Sequence, residues 1–429
     1  MANPSLSNLK YNSVIISSLD KSKKIDLTNQ ILFADYYEDI LSPCITMTLQ
    51  VTSQYSIFNG LPIRGGEVVT FDVSSYSGDF KIETYVYKVS GIVADGSKEM
   101  FTLHLVSREG LTNETARVQK KYQKKPINEH VTAILRDVLK TNNFKSENIE
   151  KTSNTLSFIG TLKKPFTVLT WLGPKSVPST SNSGKNGTKG KGVTGFLFYE
   201  NIDGFNFRSI DTLVSSTKSQ SSSSDKESIF KYTYTPVIED NKETNLLSIL
   251  NYNFEKNIDL MKALRVGMYS NVTYFYDIYT NRVDGVTYKM TEEIKSKLGG
   301  EGKLNYPKEF GDKPSRILFR TSDVGVNDEA GDQSDSGRDV IDMAKSFSRY
   351  NLLFTQSLNM VVPLNVKLKV GSIIYAQFQK VDASQSGEVD EQQSGNYLIK
   401  ELRHHFEGGQ MVTSLKLVRD SYGLYGAKQ

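Results

Sequence analysis

The sequence is poor in cysteine, tryptophan and histidine, with one Cys, one Trp and four His among its 429 residues. A single cysteine excludes an intrachain disulfide, so we expect a protein that is assembled in a reducing cytoplasm. Cys44 stands beside Ile45 and Met47 in an alternating apolar run. This setting predicts a buried and unreactive thiol rather than a nucleophile.

Long apolar runs and a concentrated charge of one sign are also absent. No run approaches the roughly 20 apolar residues of a membrane-spanning helix, and no charged-then-apolar leader opens the chain. We therefore expect neither membrane insertion nor secretion by a signal peptide. The 52 Lys and Arg residues nearly balance the 48 Asp and Glu residues, whereas a duplex-binding domain usually carries a basic excess.

Motifs that enzymes use to hold phosphate or a nucleophile are missing. A P-loop needs a lysine after its second glycine, and Val193 takes that place behind Gly187 and Gly192. No Gly-x-Ser-x-Gly turn occurs for serine catalysis. The acidic pair Glu38-Asp39 could in principle serve a glycosidase, but adjacent acids on a strand are usually solvated surface. The prediction is a protein that is not an enzyme and has no catalytic residues.

Histidine spacing argues against a metal centre. His404 and His405 form the only histidine pair, and neighbouring residues of a strand point to opposite faces. His104 and His130 have no second histidine or cysteine at the spacing of metal ligands. We predict no metal site and no cofactor.

Tyr and Phe are abundant, at 23 and 21 residues, and β-branched residues alternate with polar ones, which favours β structure. In the first part of the chain, glycine-containing turns separate the alternating runs at the spacing of a small barrel or sandwich. The predicted strands there are 14–17, 25–35, 45–52, 68–73, 81–92 and 101–106.

The hydrophobic period changes to that of helices after residue 112. Apolar residues recur on one helical face behind Pro126, and a second segment of this kind begins at Pro165. The dipeptide Asp203-Gly204 predicts a hairpin turn between two aromatic strands. These elements predict a small α/β domain that ends near residue 213.

The second half mixes both periods. Its predicted elements are strands at 230–235, 272–279 and 286–290, helices at 245–250 and 258–264, a polar insertion at 291–336, and an amphipathic helix capped by Ser336 with Val340, Ile341, Ala344 and Phe347 on one face. The Ser- and Gly-rich stretches at 179–192 and 215–224 predict mobile loops or a linker.

The last β segment repeats the first. Three blocks match in the same order: 61–69 with 366–374, then Tyr87, Val89 and Ile92 with Tyr397, Ile399 and Leu402, then 103–106 with 415–418. Any two β-hairpins share alternation, but three ordered blocks favour a duplication. Three chains with two barrels each would present six similar barrels, which adapts threefold to sixfold symmetry.

The predicted fold class is mainly β with α/β parts: two β-barrel domains flank a smaller α/β domain, with a polar insertion in the second half. The predicted boundaries are 1–112 for the first barrel, 113–213 for the α/β domain, 214–229 for a Ser-rich linker, 230–290 and 352–425 for the second barrel, and 291–351 for the insertion with its amphipathic helix.

Several blocks resemble the baseplate hub subunits of T-even-like and cyanophage-type contractile bacteriophages. They are 103–109, 113–114, 117–120, 164–166, 171–172, 195–201, 203–211, 394–399 and 417–421. Together they touch both predicted barrels and the domain between them.

The resemblance implies a structural virion protein that is assembled in the host cytoplasm. It would be a homotrimer whose tail-tube-like barrels form a pseudo-hexameric ring between the sixfold tail tube and the threefold spike. Implied partners are the central spike protein, the tail tube or its initiator, the tape-measure protein and the baseplate wedge, with DNA passing through without specific binding. Because the chain ends soon after Asp420-Ser421, the spike is expected to be a separate protein.

Edge strands of the barrels would pair between subunits, and the candidate residues are Val68, Val69, Ile373 and Ile374. Two alternatives stay open at this point. A tail-associated cell-wall hydrolase would need a catalytic constellation, and a carbohydrate-binding module would use exposed Tyr and Phe side chains.

Overall fold

The computed structural model describes residues 9–54, 57–96, 98–179, 195–215, 229–234, 246–256, 259–277, 281–290, 298, 308–322, 336–380, 388–408 and 411–420. Most of the two Ser- and Gly-rich stretches, most of the polar insertion and the P-loop-like glycines lie outside these residues. The described chain is mostly β, as predicted.

The strands are β1 (Lys10–Ser17), β2 (Lys24–Asp26), β3 (Ile31–Asp39), β4 (Thr46–Ser53), β5 (Val68–Ser75), β6 (Gly78–Asp95), β7 (Lys98–Val106), β8 (Lys121–Pro126), β9 (Thr155–Ile159), β10 (Phe196–Asn201), β11 (Gly204–Ser209), β12 (Lys231–Thr233), β13 (Asn251–Lys256), β14 (Ser270–Asp277), β15 (Arg282–Lys289), β16 (Arg316–Ser322), β17 (Gln356–Pro363), β18 (Ile373–Gln377), β19 (Gly395–Glu407) and β20 (Val412–Arg419).

The helices are α1 (Ile57–Gly60), α2 (Arg108–Thr115), α3 (Ile127–Ala133), α4 (Pro165–Leu172), α5 (Ile210–Ser215), α6 (Leu260–Arg265), α7 (Lys308–Gly311) and α8 (Ser336–Leu353). A π-helical turn continues α3 over Ile134–Val138, and 3-10 turns cover Ser146–Asn148 and Gly173–Lys175. No helix of the described residues is both long and apolar enough to cross a membrane.

The two ends of the chain follow the same strand order within one sheet of 13 strands. The first copy, β1 to β7, has the path β1-β5-β6-β7-β4-β3, with β2 beside β1. The second copy, β12, β13 and β17 to β20, has the path β12-β18-β19-β20-β17-β13. One direction differs, since β1 runs antiparallel to β5 and β12 runs parallel to β18.

The pairing register agrees with the first and third repeat blocks. Val68 lies opposite Tyr85 in the first copy, and Ile373 lies opposite Leu398 in the second. Tyr85 in turn pairs with Val106, as Leu398 pairs with Val418. Both copies therefore place matching residues of the first and third blocks on either side of one residue of the strand between them.

A matching turn precedes β5 and β18. Gly66 N donates to Val86 O at 2.6 Å, and Gly371 N donates to Ile399 O at 3.0 Å. Both glycines have a positive φ, at 94° and 81°, a conformation in which a side chain costs energy. The two turns are thus the same local structure, with a glycine fixed at the same point.

The middle repeat block was aligned wrongly by three residues. Tyr397 lies opposite Ile374 and so corresponds to Thr84, which lies opposite Val69, rather than to Tyr87. Tyr87 corresponds to Lys400, because each sits at a β-bulge where the register shifts. Shared bulges of this kind are conserved features of a fold rather than accidents.

Pairing among the described residues does not close either copy into a separate barrel. Each copy is an open run of strands, and the two are joined edge to edge by β3 and β19. One apolar core, with residues from both copies, lies behind this shared sheet.

The β10–β11 hairpin lies between the shared sheet and the helices that precede it. Leu197 and Tyr199 pack into the core of the sheet, while Phe196 and Phe198 pack with helices α3 and α4 in a second core. Every residue of β10 is therefore buried. The turn consists of Ile202-Asp203, one residue earlier than predicted, with Gly204 opening β11.

Several predicted elements differ from the structure. The strand predicted over 25–35 is split into β2 and β3, because the Asp26 carboxylate accepts a hydrogen bond from Thr28 N at 2.8 Å and forms a turn. Of the predicted helix at 245–250, residue 245 lies outside the described residues and the part after residue 246 is wrong, since Ser248 forms a bridge to Thr233 and β13 follows. The predicted polar insertion holds a helix, α7, and a strand, β16, that pairs in parallel with β14.

Strands β14, β15 and β16 form a sheet of their own instead of joining the second copy. This sheet and α6 to α8 occupy the connection between β13 and β17, whereas the equivalent connection in the first copy is the short segment 40–45. Arg349 of α8 is 1 % exposed and lies 3.2 Å from Asp211 and 3.3 Å from Asp420. This buried cluster ties the helix to α5 and to the end of β20.

Candidate assembly surface

The joint between the two copies is a ladder of seven residue pairs between β3 and β19. At its centre, Arg403 donates two hydrogen bonds to the Asp35 carboxylate, at 2.8 and 2.9 Å. Asp35 is only 4 % exposed, so this paired geometry compensates the cost of burying its charge. The hydrogen bond to Asp35 raises the pKa of Arg403, with a smaller contribution from its charge.

His405 extends the same cluster. Its Nδ1 lies 2.7 Å from Asp35 Oδ1, and its Nε2 lies 3.1 Å from Glu407 Oε2. Four ionisable side chains thus share one site where the two copies meet. They contact one another, and within the described residues no group of three or more His, Cys, Asp or Glu side chains is arranged to hold a metal ion.

The opposite face of the ladder is buried in the core. Phe406 of the second copy is fully buried and packs against Phe71 and Phe80 of the first, with ring centroids 5.4 Å apart in both cases. His404 is also buried, 2.9 Å from Thr413 Oγ1, and burial lowers its pKa to about 3. His404 and His405 therefore do point to opposite faces, and strand β19 completes the core of the first copy.

Glu38 connects three parts of the molecule. Its carboxylate accepts hydrogen bonds from Tyr36 Oη at 2.6 Å, Ile202 N at 2.7 Å and Val370 N at 2.8 Å. It is 3 % exposed, and burial raises its pKa to about 7. The expectation of a solvated acid is wrong for Glu38, which binds the first copy to the hairpin and to the second copy.

Glu200 plays a similar part on the hairpin. It accepts hydrogen bonds from Ile45 N at 3.1 Å and Asn143 Nδ2 at 3.3 Å, and burial raises its pKa to about 8. The neighbouring Cys44 thiol is half-buried, and burial raises its pKa to about 11. Such a thiol carries little thiolate at neutral pH and is a weak nucleophile.

The four candidate residues for contacts between subunits lie on strands β5 and β18 of the shared sheet. Val68 and Val69 pair with β1 on one side and β6 on the other. Ile373 and Ile374 pair with β19 and are buried. Val68 and Val69 thus have partner strands in their own chain on both sides, whereas β12 pairs with β18 only from Tyr375 onward, beyond Ile373 and Ile374.

The face of the sheet opposite the core is mostly polar at the joint, with Phe33 and Val361 among its apolar side chains. Its side chains come from alternate positions of consecutive strands, and those at the joint include Asn359, Ser414, Lys416, Glu401, Arg403, His405, Asp35, Tyr37, Thr46, Thr48, Gln50 and His104. We call this surface the polar face.

Two of its cations at the joint are paired with carboxylates. Arg403 is held by Asp35, and Lys416 lies 3.1 Å from Glu255. The surface therefore carries charges of both signs at the joint.

Sequence patterns pointed to the correct strands but missed the joint. The alternation in β3 and β19 was visible, yet nothing local shows that Asp35 will contact Arg403 across 368 residues. The usable signal was the presence of two acids, Asp35 and Glu38, within the largely apolar strand β3, since a buried carboxylate needs a partner.

No family model and no curated protein matches the sequence. Among solved structures, the tail protein from Neisseria meningitidis MC58 aligns with 97 % of this chain and 98 % of its own, at 10 % identity and a TM-score of 0.55. The 43 kDa tail protein of prophage MuSo2 from Shewanella oneidensis aligns over 95 % and 98 %, at 9 % identity and a TM-score of 0.50.

A weaker likeness, with a TM-score of 0.46 and 11 % identity, covers 98 % of this chain and 79 % of the E. coli c3393 protein, a component of the type VI secretion system. At such identities a likeness shows the fold and not the activity. Over nearly its whole length, the chain has the fold of these two tail proteins.

Proposed function

We propose that the chain is the structural baseplate hub subunit of a contractile phage tail. Three copies would form a pseudo-hexameric ring that joins the sixfold tail tube to the threefold central spike. The observation that carries this proposal is the doubled strand order, joined edge to edge in one continuous sheet. A chain that already places two like units side by side supplies a third of a six-unit ring.

The fold supports the same proposal from another direction. The two solved structures compared above at TM-scores of 0.55 and 0.50 are both tail proteins. A virion location, assembly in the host cytoplasm and contacts with the spike, the tail tube or its initiator, the tape-measure protein and the baseplate wedge follow from this role.

In the proposed ring the polar face lines the channel. Phosphates bind where lysine and arginine can release counterions, but Arg403 and Lys416 are already paired with Asp35 and Glu255. A passing duplex would have to displace those carboxylates to bind. The channel would therefore admit DNA without retaining it.

The role asks for no catalysis. Glu38 and Glu200 have the raised pKa values that acid catalysts share, yet both carboxylates accept hydrogen bonds from backbone amides inside the protein. Their positions favour a structural use.

The test is the mass of the purified protein in solution. Size-exclusion chromatography with light scattering, alone and with a candidate spike protein, should give a trimer in at least one condition. Negative-stain images of that trimer should show a ring with six lobes around a channel. A protein that stays monomeric in both conditions contradicts the proposal.

A further inference from the structure

Among the strand edges that have no partner strand in the described residues, two correspond through the internal repeat to the strands of the joint. β13 pairs with β17 on one side, and no described strand pairs with its other side. β6 pairs with β5 only as far as Tyr85, and beyond Val86 its pairing partner in the described residues is β7 alone. Open edges of this kind invite another strand.

The internal repeat indicates which strand would pair with each of these two edges. β3 corresponds to β13, because Tyr36 lies opposite Met47 as Phe254 lies opposite Leu358. The end of β19 corresponds to the end of β6, where Val93 pairs with Met100 as His405 pairs with Val412. Within the chain β3 and β19 pair with each other, so β13 and β6 are the two halves of a second joint that a single chain cannot form.

Exposure agrees with this assignment. Ile92 and Val93 are 56 % and 54 % exposed, whereas His404 and His405, their counterparts in the second copy, are covered by β3. On the other edge Tyr252 and Phe254 are only partly buried. Their counterparts Ala34 and Tyr36 are 0 % and 1 % exposed, because β19 covers them.

We propose that β13 of one subunit pairs antiparallel with residues 88–95 of β6 in the next subunit and so repeats the β3–β19 joint between chains. The inference rests on the proposed ring and names the contact that closes it. Val93 would lie opposite Asn253, Ala94 opposite Tyr252, and Ile92 against the ring of Phe254. Six like joints, three within chains and three between them, would then run around the ring.

The two kinds of joint differ in chemistry. The joint within the chain is held by Asp35, Arg403 and His405, while uncharged Asn253, Val93 and Ser90 take those places between chains. Because Ile92 and Val93 leave water on pairing, the joint between chains is stabilised by apolar burial and backbone hydrogen bonds. Assembly should therefore change little with salt concentration.

A pair of cysteines tests the register directly. Residues directly opposite each other in an antiparallel pair have Cβ atoms about 4.5 to 5.5 Å apart, within reach of oxidation or a short thiol crosslinker. In a Cys44→Ala background, Val93→Cys with Asn253→Cys should give covalent dimers and trimers on denaturing gels. The matched control combines Asn253→Cys with Val283→Cys, because Val283 is 57 % exposed but lies on β15.

The outcomes of this experiment distinguish the proposed joint from the proposed ring. Covalent trimers from the first pair, with monomers from the control, support the joint. Trimers by light scattering that do not crosslink through the first pair, or crosslink equally in the control, overturn this inference and leave the ring standing. A protein that is monomeric at every concentration and with the spike protein overturns the ring and the joint together.

Discussion

Truncation of Phe406 to alanine tests whether the second copy completes the core of the first. The Phe406 ring is fully buried against Phe71 and Phe80, two side chains of the first copy. A buried Phe→Ala change costs about 3 to 5 kcal/mol. Because the lost contacts lie across the joint, the cost should fall on the pairing of β3 with β19 rather than on the whole chain.

Hydrogen exchange followed by mass spectrometry measures this locally. With every 1.4 kcal/mol worth tenfold in an opening equilibrium, about 3 to 5 kcal/mol should speed exchange of the β3 and β19 amides by about a hundredfold to a few thousandfold. Phe319→Ala is the control, because that ring is 78 % exposed on β16 and its loss should cost under about 0.5 kcal/mol. An acceleration below about tenfold in both strands would refute the reasoning.

Three further predictions concern single side chains. Burial raises the pKa of Glu200 from 4.5 to about 8. The folded protein therefore holds this proton more tightly than the unfolded chain, and its stability falls as the pH rises across that range. In thermal unfolding, Glu200→Gln should reduce this dependence of stability on pH. Arg349→Ala leaves two carboxylates without their shared cation and should cost about 3 to 5 kcal/mol in urea unfolding, and a loss under about 1 kcal/mol contradicts the buried pairing. Gly371→Ala should lower the midpoint of thermal unfolding more than Gly66→Ala, although both glycines have a positive φ. A Cβ at Gly371 would lie 2.2 Å from the Tyr199 hydroxyl, whereas a Cβ at Gly66 would meet the end of a flexible side chain at 3.0 Å. Equal decreases in the two midpoints would contradict this.

The duplication could be read from the sequence because its markers are local. Gly66 and Gly371 precede apolar strands at matching positions, and the required positive φ keeps glycine there. The middle block slipped by three residues because the connection before β6 is a two-residue turn, between Ser75 and Gly78, while β18 and β19 are separated by residues 378–394. An alignment that assumes similar spacing between the blocks cannot account for this difference in loop length.

The joint could not be predicted because it depends on contacts between distant segments. The sequence predicts no strand over β13, between the helices predicted at 245–250 and 258–264, since an edge strand with one exposed side carries only a weak alternation. β16 was hidden in a polar insertion, where its exposed Ile317 and Phe319 gave no sign of the parallel pairing with β14. Glu38 was assigned to the surface because no local pattern shows that amides of residues 202 and 370 will reach it.

The long separation between β3 and β19 also constrains how the chain is made. Asp35 and His405 are 370 residues apart, and at about 5 to 20 residues per second a ribosome needs roughly 20 to 70 s to translate from one to the other. During that interval Tyr36 borders an edge that any passing strand can occupy. A nascent chain stalled before Gly395 should therefore crosslink to holding chaperones through residues 31–39, and release of the full chain should end that contact.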